Sequence, residues 1–147
     1  MAGRAVSVAE RCALLARCRT IAVVGVSADP DRPSHRIFAY LRERPGIAAV
    51  PVNPELDAVA GAQAYPTLAA YAERHGSPDL VNVFRRPSAA AQVARAAIAI
   101  GARAIWFQLG VASDDALRLA DEAGLRVVAG YCIKVEWNRC DAQTADR

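Results

Sequence analysis

The sequence has 147 residues, of which 54% are hydrophobic and 22% are charged, and its formal net charge at pH 7 is +3. This length suits one domain that can bury a core of its own, and the composition does not favour a disordered, collagen-like or coiled-coil chain. The small, scattered charge excess predicts no nucleic-acid partner, and the absence of a long uncharged apolar run predicts no membrane span. Because the first residues lack the apolar block of a signal peptide, we expect a cytoplasmic protein.

Short apolar runs alternate with Ala- and Arg-rich helical stretches along the chain. In chain order the pattern predicts helix 7–18, strand 20–26, helix 35–44, strand 47–52, helix 66–75, strand 80–84, helix 87–100, strand 104–108, helix 113–123 and strand 126–129. We expect Ser7 and Ser113 to cap their helices, and Pro66 and Pro87 to open theirs. Gly124 is expected to follow a helix in the left-handed conformation.

Strands that are separated by helices predict right-handed βαβ units and a parallel sheet. The run 20–26 is apolar without alternation, which is typical of a strand covered on both faces. We therefore predict a single α/β domain over residues 1–147, with a doubly wound parallel sheet between two helical layers. Its core is expected to span residues 7–137, and the polar residues after Asn138 are expected to be a frayed tail.

Four cysteines, Cys12, Cys18, Cys132 and Cys140, are spread over the chain. In a chain of this length without a secretory signal, they are not expected to form a disulfide framework. Cys12 and Cys18 do not have a metal-ligand spacing, and the sequence has only two histidines. No structural metal site is therefore expected.

Polar residues, glycines and prolines gather directly after the predicted strands and are scarce before them. Ligands of doubly wound sheets bind at the carboxyl ends of the strands, so these segments form the candidate site. The segments are Gly25–Arg36, Asn53–Pro54, Arg85–Pro87, Gln108–Gly110 and Tyr131–Lys134.

The first segment departs from the dinucleotide-binding fingerprint Gly-x-Gly-x-x-Gly. Only Gly25 of that pattern is present, and the second strand ends in Asn53 rather than in an acidic residue, which disfavours a nicotinamide or flavin dinucleotide. The loop backbone can still hold a phosphate with the help of Ser27, Ser34 and Arg32. The alternative is that its prolines simply stiffen a turn, and the loop alone does not decide between the two.

The later segments each allow two interpretations. Arg85 and Arg86 suit a phosphate or carboxylate through paired hydrogen bonds, or they form a solvated charge pair. Gly110 permits the close approach of a ligand, or it only turns the chain into the next helix. Cys132, beside Lys134, is a weak candidate for a nucleophile. No catalytic triad accompanies it, and a buried inert thiol is the more frequent situation.

Taken together, the segments resemble those of a known family. The matching motifs are Ile21–Ser27 with Arg32–Ser34, Pro51–Pro54, Gly61 with Tyr65–Leu68, Asp79–Arg85, Trp106–Gly110 with Ala123–Leu125, and Cys132 with Lys134 and Glu136. The chain is similar to standalone CoA-binding domain proteins and to the N-terminal CoA-binding Rossmann domain of the succinyl-CoA synthetase alpha subunit. The family commonly has Asp-Arg before the last Cys, where this chain has Gly130–Tyr131. The synthetase's second domain, which carries the phosphorylated His, has no counterpart here, so a ligase reaction is not expected.

The resemblance implies a Rossmann-like, three-layer α/β/α fold with a sheet of five to six strands and coenzyme A held across the strand ends. By position, the phosphates would meet Gly25, Val26, Ser27, Arg32 and Ser34. The adenosine would border Asn53 and Pro54, and the middle of the ligand would border Phe84, Arg85 and Pro87. The pantetheine or diphosphate would lie toward Gln108, Gly110, Cys132, Ile133 and Lys134.

Three hypotheses on function follow from these observations. The first is a module that binds CoA or an acyl-CoA without catalysis of its own. The second is an enzyme, either a nucleotide-dependent oxidoreductase or a Cys132-dependent acyl transferase. The third is a regulatory or assembly protein that keeps the fold and has lost the ligand. A homodimer through the N-terminal helix or an exposed Trp137, or a partner subunit, is compatible with each of them.

Overall fold

A computed structural model describes residues 6–145, in which helices and strands alternate as predicted. The helices are α1 Val8–Arg17, α2 Pro33–Glu43, α3 Leu68–His75, α4 Pro87–Ala99, α5 Asp114–Glu122 and α6 Ile133–Ala145. The strands are β1 Thr20–Val24, β2 Ala48–Val52, β3 Ala58–Val59, β4 Ala62–Gln63, β5 Leu80–Val83, β6 Ala104–Phe107 and β7 Arg126–Ala129. The predicted elements end within two residues of the observed ones. The short antiparallel hairpin β3–β4 and the helix α6 were not predicted.

The main sheet has five parallel strands in the order β2-β1-β5-β6-β7. Its register places Ile21 of β1 beside Ala49 of β2 on one side and beside Leu80 of β5 on the other. The chain therefore runs outward from β1 to β2 and then crosses back to the far side of β1. The connections diverge between β1 and β5, and this is where doubly wound sheets bind ligands.

Helices cover both faces of the sheet, as the unbroken apolar runs predict. All residues of β5 and β6 are buried, as are the last four residues of β1. One face packs on α1, α2 and α6 through Leu15, Ile21, Val23, Phe38, Leu80, Trp106 and Ile133. The other face packs on α3, α4 and α5 through Ala22, Val24, Tyr71, Val81, Ala94, Phe107 and Ala116. The predicted fold class, a Rossmann-like three-layer α/β/α domain, is confirmed.

Side-chain caps fix the starts of three helices. Ser7 Oγ accepts a hydrogen bond from Glu10 N at 3.1 Å, and Ser113 Oγ accepts one from Ala116 N at 3.2 Å, both as predicted. The prediction that Pro66 opens α3 is wrong, because Thr67 caps that helix through its Oγ1. Gly124 follows α5 with a φ of +84°, as expected for a left-handed residue.

The predicted frayed tail is wrong, because α6 continues through Asn138 to Ala145. This helix packs between α1 and α2, and Trp137 is only 5% exposed. Trp137 is therefore a core residue, not the exposed side chain that we expected to support a dimer. No helix among residues 6–145 is long and apolar enough to cross a membrane.

The cysteines were not expected to form a disulfide framework, and the structure departs from that expectation at two of them. Cys12 of α1 and Cys140 of α6 form a disulfide bond across 128 residues. Cys18 and Cys132 are free thiols. The pairing depends on α6, which brings Cys140 against α1, and without that helix the sequence offered no reason to join the two positions.

Candidate functional site

The loops that follow β1 and β5 touch at Gly25. A Cβ atom added to this glycine would lie 3.0 Å from the carbonyl oxygen of Phe84 and 3.0 Å from Cδ of Arg85. Such distances are tighter than most Cβ contacts in real proteins, so the neighbouring atoms would have to shift, and the φ of +89° also disfavours a side chain. Glycine at this position therefore lets the two strand ends approach without strain, and the structure brings Gly25, Phe84 and Arg85 together at the divergence point of the sheet.

The loop after β1 is held by hydrogen bonds that draw several predicted site residues together. Ser27 N donates to Ser34 Oγ at 3.0 Å, and Asn53 Nδ2 donates to the carbonyl oxygen of Val26 at 2.9 Å. The ring Nδ1 of His35 lies 2.9 Å from the carbonyl oxygen of Ser27. These contacts fix the loop in one conformation against both α2 and the end of β2, so its backbone is preorganised.

Two helices begin without a side-chain cap beside the loops that follow β1 and β5, a region that we call the strand-end crevice. The N-cap residues of α2 and α4 are Arg32 and Arg86, neither of which makes a capping hydrogen bond, and neither helix has an acidic residue in its first turn. In contrast, α1, α3 and α5 are capped by hydroxyl groups. Each helix opens with a proline, which has no N–H, and the N–H of its third residue donates to the N-cap carbonyl, which leaves the N–H groups of Ser34 and Ser88 free within residues 6–145. These N–H groups and the positive ends of the helix dipoles favour an anion, and both uncapped ends follow the central strands β1 and β5.

Four arginines surround the uncapped helix ends. Arg32, Arg36 and Arg86 are exposed, and Arg85 is half-buried. The ion pairs within residues 6–145 involve Arg11, Arg44, Arg118 and Arg139, so none of these four belongs to one. Their positive charge is thus not neutralised by a carboxylate of the described chain, and it is available to an anionic ligand.

The remaining predicted residues differ in what they can offer. Gln108 is buried, and its Oε1 accepts a hydrogen bond from Ile133 N at 3.0 Å, which supports the start of α6. The side chains of Val26 and Ile133 are fully buried, so only their backbones can face a ligand. Lys134 is exposed, with Nζ 5.4 Å from the centre of the Tyr40 ring. Pro54, Pro87 and Gly110 are exposed in the segments that follow β2, β5 and β6.

Cys132 has no activating partner within residues 6–145. Its thiol is half-buried and makes no hydrogen bond there. Glu136, the acidic residue nearest in sequence, is engaged by Arg11, whose Nε lies 2.6 Å from Glu136 Oε1. Nucleophilic catalysis needs a base or an electropositive setting at the thiol, and no base reaches Cys132 in this part of the chain. The described residues also contain no group of three or more His, Cys, Asp or Glu side chains that could hold a metal ion.

Two residues of the site region lie in segments that were named from the sequence, but neither of them was given a role there. His35 supports the first loop, and its place in the first turn of α2 was the available signal. Asn82 is fully buried in β5, and neither its nitrogen nor its oxygen has a hydrogen-bond partner among residues 6–145. Its signal was a polar residue inside an apolar strand. An unpaired buried amide costs about 1–3 kcal/mol, and this one lies beside Val23 and Trp106, one residue before β5 ends.

A cavity of about 620 Å³ lies elsewhere, along the outer edge of β7 between α1 and α5. Its lining includes Leu14, Leu117 and Val127, and Tyr131 is the one lining residue that belongs to a predicted site segment. Arg126 is the one cation in that lining. The strand-end crevice, with four arginines and two uncapped helix N-termini, therefore suits a ligand with several phosphates much better than the cavity along β7 does.

Fold and site together define a doubly wound α/β domain with two uncapped helix N-termini and four arginines at the carboxyl ends of its strands. The family of the CoA binding domain matches residues 19–138, and the chain belongs to that family. The residues at the crevice fit CoA, since its diphosphate and 3′-phosphate need the cations and free N–H groups found there. The predicted family resemblance is thereby confirmed.

Relatives of similar length share this fold. The uncharacterized protein YneT of Bacillus subtilis (strain 168) is 37% identical over 129 residues, which are 88% of this chain and 93% of YneT. A hypothetical protein from Pyrococcus horikoshii OT3 superposes with a TM-score of 0.85 and 31% identity, over 95% of this chain and 98% of its own. The structure of cell-free ID.343 from Thermus thermophilus superposes with a TM-score of 0.83 and 34% sequence identity, over 92% of this chain and 99% of its own.

Proposed function

We propose that the protein binds coenzyme A or an acyl-CoA at the carboxyl ends of β1 and β5, and that it acts as a binding or regulatory module without catalysis of its own. The observation that carries the proposal is the pair of uncapped helix N-termini, each with an arginine at the N-cap. An arginine at this position opposes the helix dipole. A bound phosphate would offset this unfavourable interaction with the dipole, and its oxygens would accept hydrogen bonds from the free N–H groups.

In this proposal the phosphates of CoA lie between the loop of Gly25 and the start of α4, with Arg32 and Arg85 on either side. The adenosine lies toward Asn53, and the pantetheine arm runs along the start of α6. The preformed loop supports tight binding, because little conformational entropy is lost when the ligand enters. The absence of a base beside Cys132 in the described residues supports a binding role over acyl transfer.

Isothermal titration with CoA tests the proposal on the whole chain, which is kept reduced so that the CoA thiol undergoes no exchange with the Cys12–Cys140 bond. Arg85→Ala should weaken CoA binding about 10- to 100-fold, because a hydrogen bond to a charged group contributes about 1.5–3 kcal/mol. Arg95→Ala is the matched control, since Arg95 is exposed on α4 far from its N-terminus and the charge change is the same. Its affinity should equal that of the wild type. No binding heat for the wild type at millimolar CoA, or equal losses in both variants, would refute the proposal.

A further inference from the structure

A disulfide bond joins two helices on the same face of the sheet. Cys12 of α1 and Cys140 of α6 have a Cα–Cα distance of 5.5 Å, within the normal range for a bonded pair. The helix α6 has no strand after it in the described chain, so its position depends on its contacts with the rest of the domain. The bond is the one covalent contact between this helix and α1.

Small molecules can reach the bond. Cys12 and Cys140 are half-buried rather than sealed. Together with Leu15, Arg44 and Trp137 they line a cavity of about 240 Å³. Thiol–disulfide exchange requires access to a sulfur, and a cavity of this size admits the sulfur end of a small thiol or disulfide.

A third thiol lines the same cavity but is unreactive. Cys18 is 2% exposed, and burial raises the pKa of its thiol to about 12. Because the thiolate is the nucleophile in exchange reactions, Cys18 stays protonated and does not compete. Exchange in this cavity is therefore confined to the pair Cys12 and Cys140.

The helix that carries Cys140 also carries part of the candidate site. Residues 132–134 open α6, and Cys140 lies about two turns further along it. Between them, Glu136 forms a buried ion pair with Arg11, the neighbour of Cys12 on α1, at 2.6 Å. The disulfide bond and the ion pair thus both join α1 to α6. Loss of the disulfide bond therefore makes the first turn of α6 less firmly packed against α1.

We propose that Cys12 and Cys140 are a reversible dithiol–disulfide site. Its oxidised form holds α6 against α1 and thereby makes the first turn of α6, at the proposed CoA-binding site, less mobile. The effect on the ligand rests on the proposed function, whereas the effect on the helix does not. The oxidant is a low-molecular-weight disulfide, R–S–S–R. One cysteine thiolate attacks it, which forms a mixed disulfide and releases one R–S⁻. The second thiolate attacks the protein sulfur and releases the other R–S⁻, and the two cysteine protons leave two R–SH.

The first measurement follows the bond and the helix. The full chain is treated with oxidised glutathione or with dithiothreitol, and free thiols are then counted by alkylation of the denatured chain, which exposes Cys18, and by mass spectrometry. We expect two labelled cysteines in the oxidised form and four in the reduced form. Amide hydrogens of residues 132–140 should exchange about tenfold faster in the reduced form. The midpoint of thermal unfolding should fall by about 10 °C, because the bond closes a long loop.

The second measurement follows the ligand. It uses acetyl-CoA, since the free thiol of CoA would itself reduce the bond. The oxidised form should bind acetyl-CoA about five- to tenfold more tightly than the reduced form. The variant Cys140→Ser should behave as the reduced form under both treatments. Cys18→Ala should keep the full response, because that residue takes no part in exchange.

The outcomes separate this inference from the proposed function. Four labelled cysteines after oxidation, or a bond that leaves both amide exchange and acetyl-CoA affinity unchanged, would overturn the redox site. If oxidation slows amide exchange in α6 while neither form binds acetyl-CoA, the redox site stands and the proposed ligand is wrong.

Discussion

At the scale of single residues, Gly25 controls how closely the ends of β1 and β5 approach. Gly25→Ala should lower the free energy of unfolding by about 1–3 kcal/mol, the usual cost of a side chain at such a backbone conformation. It should also weaken CoA binding about tenfold, because the new methyl group pushes the Phe84 carbonyl and the Arg85 side chain outward. Urea unfolding and calorimetric titration measure the two effects.

Gly124→Ala is the control for this substitution. Gly124 has a similar φ of +84°, but an added Cβ would meet nothing within 4 Å. The control should therefore lose stability through the backbone alone and should bind CoA as the wild type does. Equal affinities in both variants would show that contact at Gly25 does not shape the site.

Cys18 makes a separate, pH-dependent contribution to stability. Burial raises the pKa of its thiol from 9.0 to about 12 in the folded protein. Above pH 9 the unfolded chain loses a proton that the folded protein keeps, so stability is full below pH 9 and falls as the pH rises toward 12. Between pH 8 and pH 10, the free energy of unfolding of the wild type should fall by about 1 kcal/mol more than that of Cys18→Ala does.

Urea unfolding at the two pH values, with the disulfide bond intact, measures this difference. Burial also raises the pKa of Tyr71, but that contribution is common to both proteins and cancels. Parallel pH dependences for the wild type and Cys18→Ala would show that the thiol ionises equally in both states.

At the scale of elements, Arg32 at the N-terminus of α2 lowers the stability of the helix and favours the binding of a phosphate. Arg32→Asp should raise the free energy of unfolding by about 0.5–1 kcal/mol, because an aspartate caps the free N–H groups and suits the helix dipole. The same change should weaken CoA binding at least tenfold, since a carboxylate would then occupy the place of a phosphate. Thermal unfolding and titration with CoA test both parts.

The cap of α5 provides the opposite comparison. Ser113→Ala removes a hydroxyl that holds Ala116 N at 3.2 Å, so it should lower stability by about 1 kcal/mol and leave CoA affinity unchanged. If Arg32→Asp binds CoA as well as the wild type, the uncapped end of α2 is not a phosphate site.

The helix α6 shows why one element escaped prediction. Ile133 and Trp137 are buried and have helical spacing, but Val135 is 53% exposed and Glu136 is buried. An apolar residue outside and a charged residue inside obscure the periodicity that marks a helix. Arg11, which makes the buried Glu136 acceptable, is 125 residues away in the chain, so no local pattern contains it.

At the scale of the whole molecule, sequence patterns predicted the layers, and the position of the site followed from them. The apolar run of β1, without alternation, already requires cover on both faces. In a parallel sheet the polar residues after each strand then share one edge, which explains why Gly25, Asn53 and Arg85 could be grouped in advance. The order of the strands and the Cys12–Cys140 bond could not be predicted, because both depend on which distant elements pack together.

The central claim is that CoA lies across the ends of β1 and β5, and a crystal structure of the whole chain with CoA tests it most directly. We expect phosphate oxygens within hydrogen-bond distance of the first N–H groups of α2 and α4, with Arg32 and Arg85 as side-chain partners. The pantetheine arm should run toward Lys134. A complex in which CoA occupies the cavity along β7, or contacts neither α2 nor α4, would contradict the claim.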